Sequence, residues 1–156
     1  MSTARSYVSG TSDAALLGMT IGEALESIEE IKTLITDGRD APLALLDQTR
    51  QVELKLMDAR EKLSGDPTRG DRFENDAPSI SSRLSNALFG SFGNSYGPTG
   101  THRKQFEIAR DEFATVADEV KAVIEDDFET LKTALDEAGV PWTRGRKLPT
   151  LDRIPR

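Results

Sequence analysis

The sequence predicts an all-α protein, an elongated antiparallel bundle of three main helices with a long C-terminal helix, one short extra helix and an extended tail. The first observation is that residues 101–138 contain no proline or glycine in 38 positions, so nothing in them ends a helix. The second is that apolar residues recur in this stretch about every 3.6 positions, the α-helical repeat. The third is that two earlier stretches carry apolar residues in alternating steps of four and three, a pattern typical of helices packed side by side. No strand pattern and no internal repeat is present.

The first helix is predicted over about residues 13–37. Residues 1–11 are small and polar and are expected to form a flexible lead-in, with Ser12 as the N-cap. The Thr20–Glu23 pair forms a capping-box pattern, so a kink or a later start at Thr20 stays open. The stripe expected to face the bundle consists of Leu17, Ile21, Ala24, Ile28, Ile31 and Ile35.

The second helix is predicted over about residues 41–64. Gly38 ends the first helix and Pro42 opens the next, with Asp40 as the N-cap. A corner this short favours an antiparallel hairpin, and Asp58 and Lys62 are spaced to form an ion pair. The buried stripe is expected to consist of Leu45, Thr49, Val52, Leu56, Ala59 and Leu63.

The remaining bundle, residues 66–139, is predicted to contain a connector at 66–78, a short helix at about 79–89 and a long helix at about 101–138. Four glycines in residues 90–100 indicate an irregular loop, after which Thr99 or Thr101 caps the long helix. The long helix outruns the other two by about a dozen residues, so its surplus apolar positions need either the short helix or a second chain to cover them. Its stripe is Phe106, Ala109, Phe113, Val116, Val120, Ile124, Phe128, Leu131 and Leu135.

Residues 140–156 are predicted to form an extended basic tail, because three prolines interrupt any helix there. The tail carries a net charge of +4, whereas residues 1–139 carry −11. We therefore expect the tail to lie on the acidic body or on an acidic partner, with the ring of Trp142 packed against the end of the bundle.

Composition excludes several classes of function. An acidic body does not suit nucleic-acid binding, because phosphate neutralisation by basic side chains supplies most of that affinity. No run of 18 apolar residues exists, so no membrane insertion is predicted. The N-terminus lacks a continuous apolar segment, so a signal peptide is not expected. The chain has no cysteine, which excludes disulfides and thiolate chemistry.

No catalytic, cofactor-binding or metal-binding residue is predicted. The single histidine, His102, lacks the second histidine or cysteine of a metal motif, and is expected to be a surface side chain. The carboxylates at 125–127 and 129 flank the inward-facing Ile124 and Phe128, so they are expected to face water. Neither a GxSxG motif nor a phosphate-binding loop with GxxxxGK[ST] occurs.

The most informative surface candidates are aromatic, because aromatics in a merely flexible loop would be a liability. We predict a non-catalytic protein-protein interaction or scaffold module, a subunit of a larger assembly, that binds another chain or a second copy. An enzyme using the acidic cluster ranks last. The partner-binding candidates are Phe89, Phe92, Tyr96, Trp142, Arg144, Arg146 and Lys147.

Four sequence blocks resemble those of a known family. They are LSGDPTR at 63–69, PSISSR at 78–83, PT at 98–99 and AGVPWTRGR at 138–146. In this order they are similar to the C-terminal helical domain that follows the β-propeller in bacterial BNR-repeat proteins, which are related to the sortilin (VPS10) propellers and often labelled glycosyl hydrolases. The resemblance implies an accessory helical domain, a propeller as partner and an extracytoplasmic setting. With no propeller in this sequence, the chain is expected to be a stand-alone relative, a fragment or a docking subunit.

Overall fold

The computed structural model describes residues 3–38, 41–66, 68–69, 77–92 and 96–140. Helix α1 spans Thr3–Asp37, α2 spans Leu43–Ser64 and α3 spans Ile80–Phe92. Helix α4 spans Gly100–Ala122 and continues through a π-helical turn, Val123–Asp127, into α5, Phe128–Glu137. No strand occurs in these ranges. The predicted all-α bundle with a long C-terminal helix is confirmed.

The helix directions follow from contacts between neighbours. Gly18 of α1 lies beside Leu63 near the end of α2, whereas Lys32 of α1 pairs with Glu53 in the middle of α2, so α1 and α2 run antiparallel. Further pairs run from α2 to the long helix, again in antiparallel order: Lys55 with Asp127 and Lys62 with Glu119. Helices α1 and α4 therefore start at the same end of the bundle.

Helix α3 follows α2 along the same side of the bundle and fills the remaining space there. Leu84 of α3 lies beside Gly10 of α1, and Arg83 hydrogen-bonds Gln105 of α4. One long groove between α1 and the long helix is thus filled first by α2 and then by α3. Of the two coverings expected for the surplus apolar positions of the long helix, the structure shows the short helix.

The beginning of the chain differs from the prediction. Residues 3–11 are helical and continuous with the rest of α1, and they form no flexible lead-in. Tyr7 is only 2% exposed, and its ring centroid lies 4.5 Å from that of Phe106. Ser12 does not cap the helix, because its hydroxyl donates to the carbonyl of Val8 within the helix. Burial of Tyr7 stabilises the helical conformation of residues 3–11, which the local sequence alone does not favour.

The kink or later helix start left open at Thr20 does not occur. Thr20 is buried inside an uninterrupted helix and its hydroxyl donates to the Leu16 carbonyl, so the capping-box pattern with Glu23 is not used. Other boundaries moved by one to three residues. Helix α2 begins after Pro42 rather than at 41, and α3 runs to Phe92 and takes in part of the predicted glycine loop. Asp40 lies outside the described residues.

The long helix carries a π-helical turn where its apolar spacing widens. Val116, Val120, Ile124 and Phe128 follow one another in steps of four, and over three such steps an α-helix would rotate the stripe by about 120°. The extra residue of the π turn absorbs this rotation. As a result Ile124 and Phe128 are both buried, as predicted. No described helix is long and apolar enough to cross a membrane.

The three predicted stripes form one core. All six predicted positions of α1 and all six of α2 are buried, and in the long helix only Phe106 and Phe113 are partly exposed. Helix α3 adds three side chains that are almost completely buried, namely Ile80, Leu84 and Ala87.

A buried carboxylate sets the register between α1 and α2. Glu53 is 6% exposed and accepts from Lys32 Nζ at 3.1 Å and Arg50 Nη1 at 2.6 Å. Burial raises its pKa, but the hydrogen bonds from Arg50 and Lys32 outweigh burial, so that the pKa of Glu53 is lowered. The ionised form is therefore the one that stabilises the fold.

Replacing Glu53 by glutamine is expected to destabilise the protein near neutral pH by about 1–2 kcal/mol, because Lys32 and Arg50 lose their charged acceptor and glutamine offers only one acceptor oxygen. A lowered folded-state pKa contributes stability above the unfolded-state pKa, and this stability disappears as pH falls through the folded-state pKa. The difference in free energy of unfolding between the wild type and Glu53→Gln, measured by urea unfolding, should therefore be smaller at about pH 3 than at about pH 7. Asp47→Asn, at an exposed site of the same helix, is the control. An equal loss for Glu53→Gln at both pH values would contradict the assignment.

Candidate protein-binding surface

The three aromatic candidates within the described residues are exposed to solvent. Phe89 is 72% exposed, Phe92 is 70% exposed and Tyr96 is 102% exposed. All three lie where α3 ends and the chain turns into α4, at the end of the bundle where α1 also begins. The tail candidates Trp142, Arg144, Arg146 and Lys147 lie outside the described residues, as does the predicted packing of Trp142.

The periodicity of α3 explains why its phenylalanines face outward. Leu84 and Ala87 point into the core. Phe89 follows Ala87 by two residues, a rotation of about 200° in an α-helix, which places it on the opposite face. Phe92 follows Phe89 by three residues and is therefore its neighbour on the surface.

Contacts with α4 show which flank of α3 faces α1. Arg83 Nη1 donates to Gln105 Oε1 at 2.7 Å, and Gly90 lies directly under the His102 ring, so Arg83 and Gly90 mark the α4 side. The other flank faces α1. Its residues follow one another in steps of four, three and four: Ser81, Ser85, Leu88 and Phe92.

Helix α1 presents a matching ridge beside α3. Gly18, next to Leu63, marks the side of α1 that faces α2, and α3 follows α2 along that side. The outward positions along this side are again spaced by four, three and four: Val8, Ser12, Ala15 and Met19. Val8 is 46% and Met19 63% exposed. The sequence does not predict this ridge, because the composition of residues 1–11 indicates a flexible lead-in. The signal was the apolar Val8 and Met19 on the side opposite the buried stripe.

We call the two ridges together with Phe89 the α1–α3 face. None of its nine members is charged, although 30% of the residues in the chain are charged, and the exposed Arg5 lies one helical step before Val8 at the edge of the face. Small side chains separate the larger apolar ones. Its members are Val8, Ser12, Ala15, Met19, Ser81, Ser85, Leu88, Phe89 and Phe92.

Charge is distributed very unevenly along the bundle. The half that contains the α1–α3 face has five basic and four acidic residues, and we call it the neutral half. The other, the acidic half, has seven basic and eighteen acidic residues. The neutral half consists of residues 3–20, 77–92 and 96–112, and the acidic half of residues 21–38, 41–66 and 113–140. The exposed aromatic side chains therefore lie where the electrostatic field is weakest.

A capping interaction fixes the turn that carries Tyr96. His102 Nδ1 accepts from the Thr99 backbone N–H at 3.2 Å, and the His102 backbone N–H points to Thr99 Oγ1 at 3.5 Å. Thr99 is thus the N-cap of α4, one of the two predicted caps. The imidazole also covers Gly90 of α3. His102 is consequently a half-buried link between α3 and α4 rather than the free surface side chain expected.

The acidic cluster at 125–129 is partly engaged in ion pairs. Asp127 Oδ2 lies 2.7 Å from Lys55 Nζ, and Glu129 Oε1 lies 2.6 Å from Lys132 Nζ. Glu125 and Asp126 are exposed, as predicted. Within the described residues, no group of three or more His, Asp or Glu side chains is arranged to hold a metal ion.

A cleft of about 470 Å³ lies where α2 ends and α3 begins. Its lining includes Asp58, Lys62 and Glu119, of which Lys62 pairs with both carboxylates at 2.8 and 3.0 Å. These pairs confirm the predicted Asp58–Lys62 interaction, and the hydrogen bonds that Lys62 donates to Asp58 and Glu119 raise its pKa. The charged groups of the cleft thus tie α2 to α4.

Comparison of the chain with known protein families, with curated proteins and with solved structures finds no match.

Proposed function

We propose that the protein is a non-catalytic interaction module that binds another protein chain through the α1–α3 face. The observation that carries the proposal is the combination of four large exposed apolar side chains, Val8, Met19, Phe89 and Phe92, with the absence of charged residues among the nine members of the face. Single exposed apolar residues are common, but a contiguous apolar surface is typical of a binding site.

The chemistry of the face suits a protein partner. Phenylalanine and methionine are enriched in the buried centres of interfaces, where charged side chains are depleted. Each phenylalanine offers roughly 150 Å² of apolar surface, fixed in direction by a helix whose other side is buried. Little conformational freedom would be lost on binding, which favours affinity.

Two polar groups with catalytic chemistry, His102 and Asp127, have structural partners. His102 caps α4 and covers Gly90, and Asp127 pairs with Lys55. These interactions support a non-catalytic role for the histidine and for part of the acidic cluster.

Photo-crosslinking in the cell of origin tests the proposal. Benzoylphenylalanine placed at position 89 is expected to yield a protein adduct, and the additional change Phe92→Ser should remove it. The control places the probe at position 43, since Leu43 is 79% exposed but lies on α2 in the acidic half. No adduct from position 89, or equal adducts from both positions, would overturn the proposal.

The resemblance to the C-terminal domain of BNR-repeat proteins suggests an alternative identity for the partner. In that case the chain is an accessory fragment of a propeller hydrolase, and the adduct from position 89 contains a β-propeller domain. Mass spectrometry of the adduct decides between this partner and others.

A further inference from the structure

We infer that His102 makes the junction between α3 and α4 sensitive to pH, and that its protonation releases the last turn of α3 from the start of α4. This inference deepens the proposed function and rests on it in part, because that turn of α3 carries Phe89 and Phe92 of the α1–α3 face. His102 is the single histidine of the chain, and histidine is the side chain that ordinarily changes its charge between about pH 5 and pH 8.

The hydrogen bonds of the junction require a neutral imidazole. His102 Nδ1 accepts from the Thr99 backbone N–H at 3.2 Å and lies 3.0 Å from Thr99 Oγ1. An imidazole nitrogen accepts only through a free lone pair, so the proton of the neutral ring belongs on Nε2, whereas both ring nitrogens of imidazolium are donors. A protonated Nδ1 can donate to the hydroxyl oxygen, but it leaves the Thr99 N–H without its acceptor.

The position of His102 in α4 adds an electrostatic penalty to protonation. His102 is the third residue of the helix and closes a capping box with Thr99, a place where Glu or Gln is the usual residue. The backbone N–H groups of the first turn give this end of the helix a partial positive charge. A carboxylate or an amide is compatible with that charge, and a neutral imidazole is too, but an imidazolium is repelled by it.

Neighbouring charges in α4 do not offset a positive charge on the ring. Arg103 and Lys104 follow His102 directly, and the first acid of the helix, Glu107, pairs with Lys104 at 3.8 Å. The turn before the helix contributes Tyr96, which is neutral in this pH range. Protonation of His102 would therefore create three consecutive cations in the first turns of α4.

The other two helices at this end of the bundle provide no compensating carboxylate. Residues 84–92 of α3 include no ionisable side chain, and the next one along α3 is Arg83. The first turns of α1 contribute Arg5 and Tyr7, and its first acid, Asp13, lies farther from this end of the bundle. Within the described residues, no hydrogen bond joins the imidazole to a carboxylate.

The ring also transmits its position to α3. It covers Gly90 so closely that a Cβ at that position would overlap it. Ala87 is the last buried side chain of α3, so the contact between Gly90 and His102 ties the final turn of the helix to α4. A ring that leaves Thr99 therefore also leaves Gly90, which lies between Phe89 and Phe92.

Urea unfolding at about pH 7.5 and about pH 5.5 is the first test. The unfolded chain lacks the capping box and binds the proton more readily, so stability falls as the pH is lowered. The equilibrium constant for unfolding is expected to rise about fivefold more between these pH values in the wild type than in His102→Gln, which keeps an acceptor at the cap without titrating. His102→Glu, which is ionised at both pH values, should behave like His102→Gln. An equal pH dependence in the wild type and both variants would overturn the inference.

A fluorine probe tests whether α3 responds. Trifluoromethylphenylalanine at position 92 is expected to change its ¹⁹F resonance between about pH 7.5 and pH 5.5 in the wild-type background and to keep it in His102→Gln. The same probe at position 43 is the control, because Leu43 is 79% exposed and lies on α2. A resonance at position 92 that does not move, or that moves equally without His102, would overturn the release of α3.

These outcomes are distinguishable from those of the proposed function, because unfolding and the ¹⁹F resonance require no partner. In a cell extract, the adduct from benzoylphenylalanine at position 89 should decrease severalfold at about pH 5.5 relative to pH 7.5, and the decrease should be absent in His102→Gln. Equal yields at both pH values would overturn the regulation and leave the interaction function standing. No adduct at pH 7.5 would overturn the interaction function, whatever the probe at position 92 reports.

Discussion

Replacing Tyr7 by alanine is expected to lower the free energy of unfolding by about 3–5 kcal/mol, the range for removing a large buried aromatic side chain. Tyr7 is 2% exposed and packs against Phe106 at a centroid distance of 4.5 Å. The pair joins the first turns of α1 to the first turns of α4, which lie far apart in sequence. Its loss leaves a cavity that these helices cannot close without separating.

The second tyrosine of the chain provides a matched control. Tyr96 is 102% exposed, so Tyr96→Ala should change the free energy of unfolding by no more than about 0.5 kcal/mol. Tyr7→Phe keeps the ring and should cost much less than Tyr7→Ala. Urea unfolding followed by circular dichroism measures all three. A loss below about 1 kcal/mol for Tyr7→Ala would show that residues 3–11 do not form part of the core.

Replacing Gly90 by alanine is expected to destabilise the protein by about 1–3 kcal/mol, although alanine ordinarily favours a helix over glycine by about 0.5–1 kcal/mol. The new Cβ would overlap the imidazole of His102. The ring cannot simply turn away, because its Nδ1 accepts the Thr99 backbone N–H at 3.2 Å. Displacing it removes a cap worth about 1 kcal/mol.

Removing the imidazole should reverse the sign of this effect. In a His102→Ala background the space above Gly90 is open, so Gly90→Ala is expected to stabilise the protein by up to about 1 kcal/mol. The double-mutant cycle therefore gives a coupling energy of about 2 kcal/mol or more. Gly22→Ala is the control, because nothing lies within 4 Å of its added Cβ, and it should stabilise both backgrounds equally. Independent effects of the two substitutions would contradict the close packing.

The same two contacts support the proposed binding surface. Tyr7 holds the first turns of α1 in place beside Val8, and the His102–Gly90 contact holds the end of α3 beside Phe92. We therefore expect variants at Tyr7 or Gly90 to weaken binding through loss of order, with a parallel loss of stability. Phe89→Ser and Phe92→Ser should weaken binding at unchanged stability, which distinguishes contact residues from supporting ones.

Much of the fold could be predicted because its signals are local. The core stripes of α1, α2 and the long helix follow the 3.6-residue repeat, and every predicted member of the first two is buried. Thr99 and the Asp58–Lys62 pair follow from rules that act within one helical turn. Phe89, Phe92 and Tyr96 are exposed, and their part in binding stays a prediction.

The remaining features depend on contacts between distant parts of the chain. Residues 3–11 have the composition of a loop, yet they are helical because Tyr7 packs against Phe106 of α4. The π turn lets the apolar stripe of the long helix stay against α2. The α1–α3 face exists only because α3 follows α2 into the same groove and turns its Ser81–Phe92 flank toward α1. Periodicity determines which side of each helix is buried, but only tertiary packing determines which exposed sides lie next to each other.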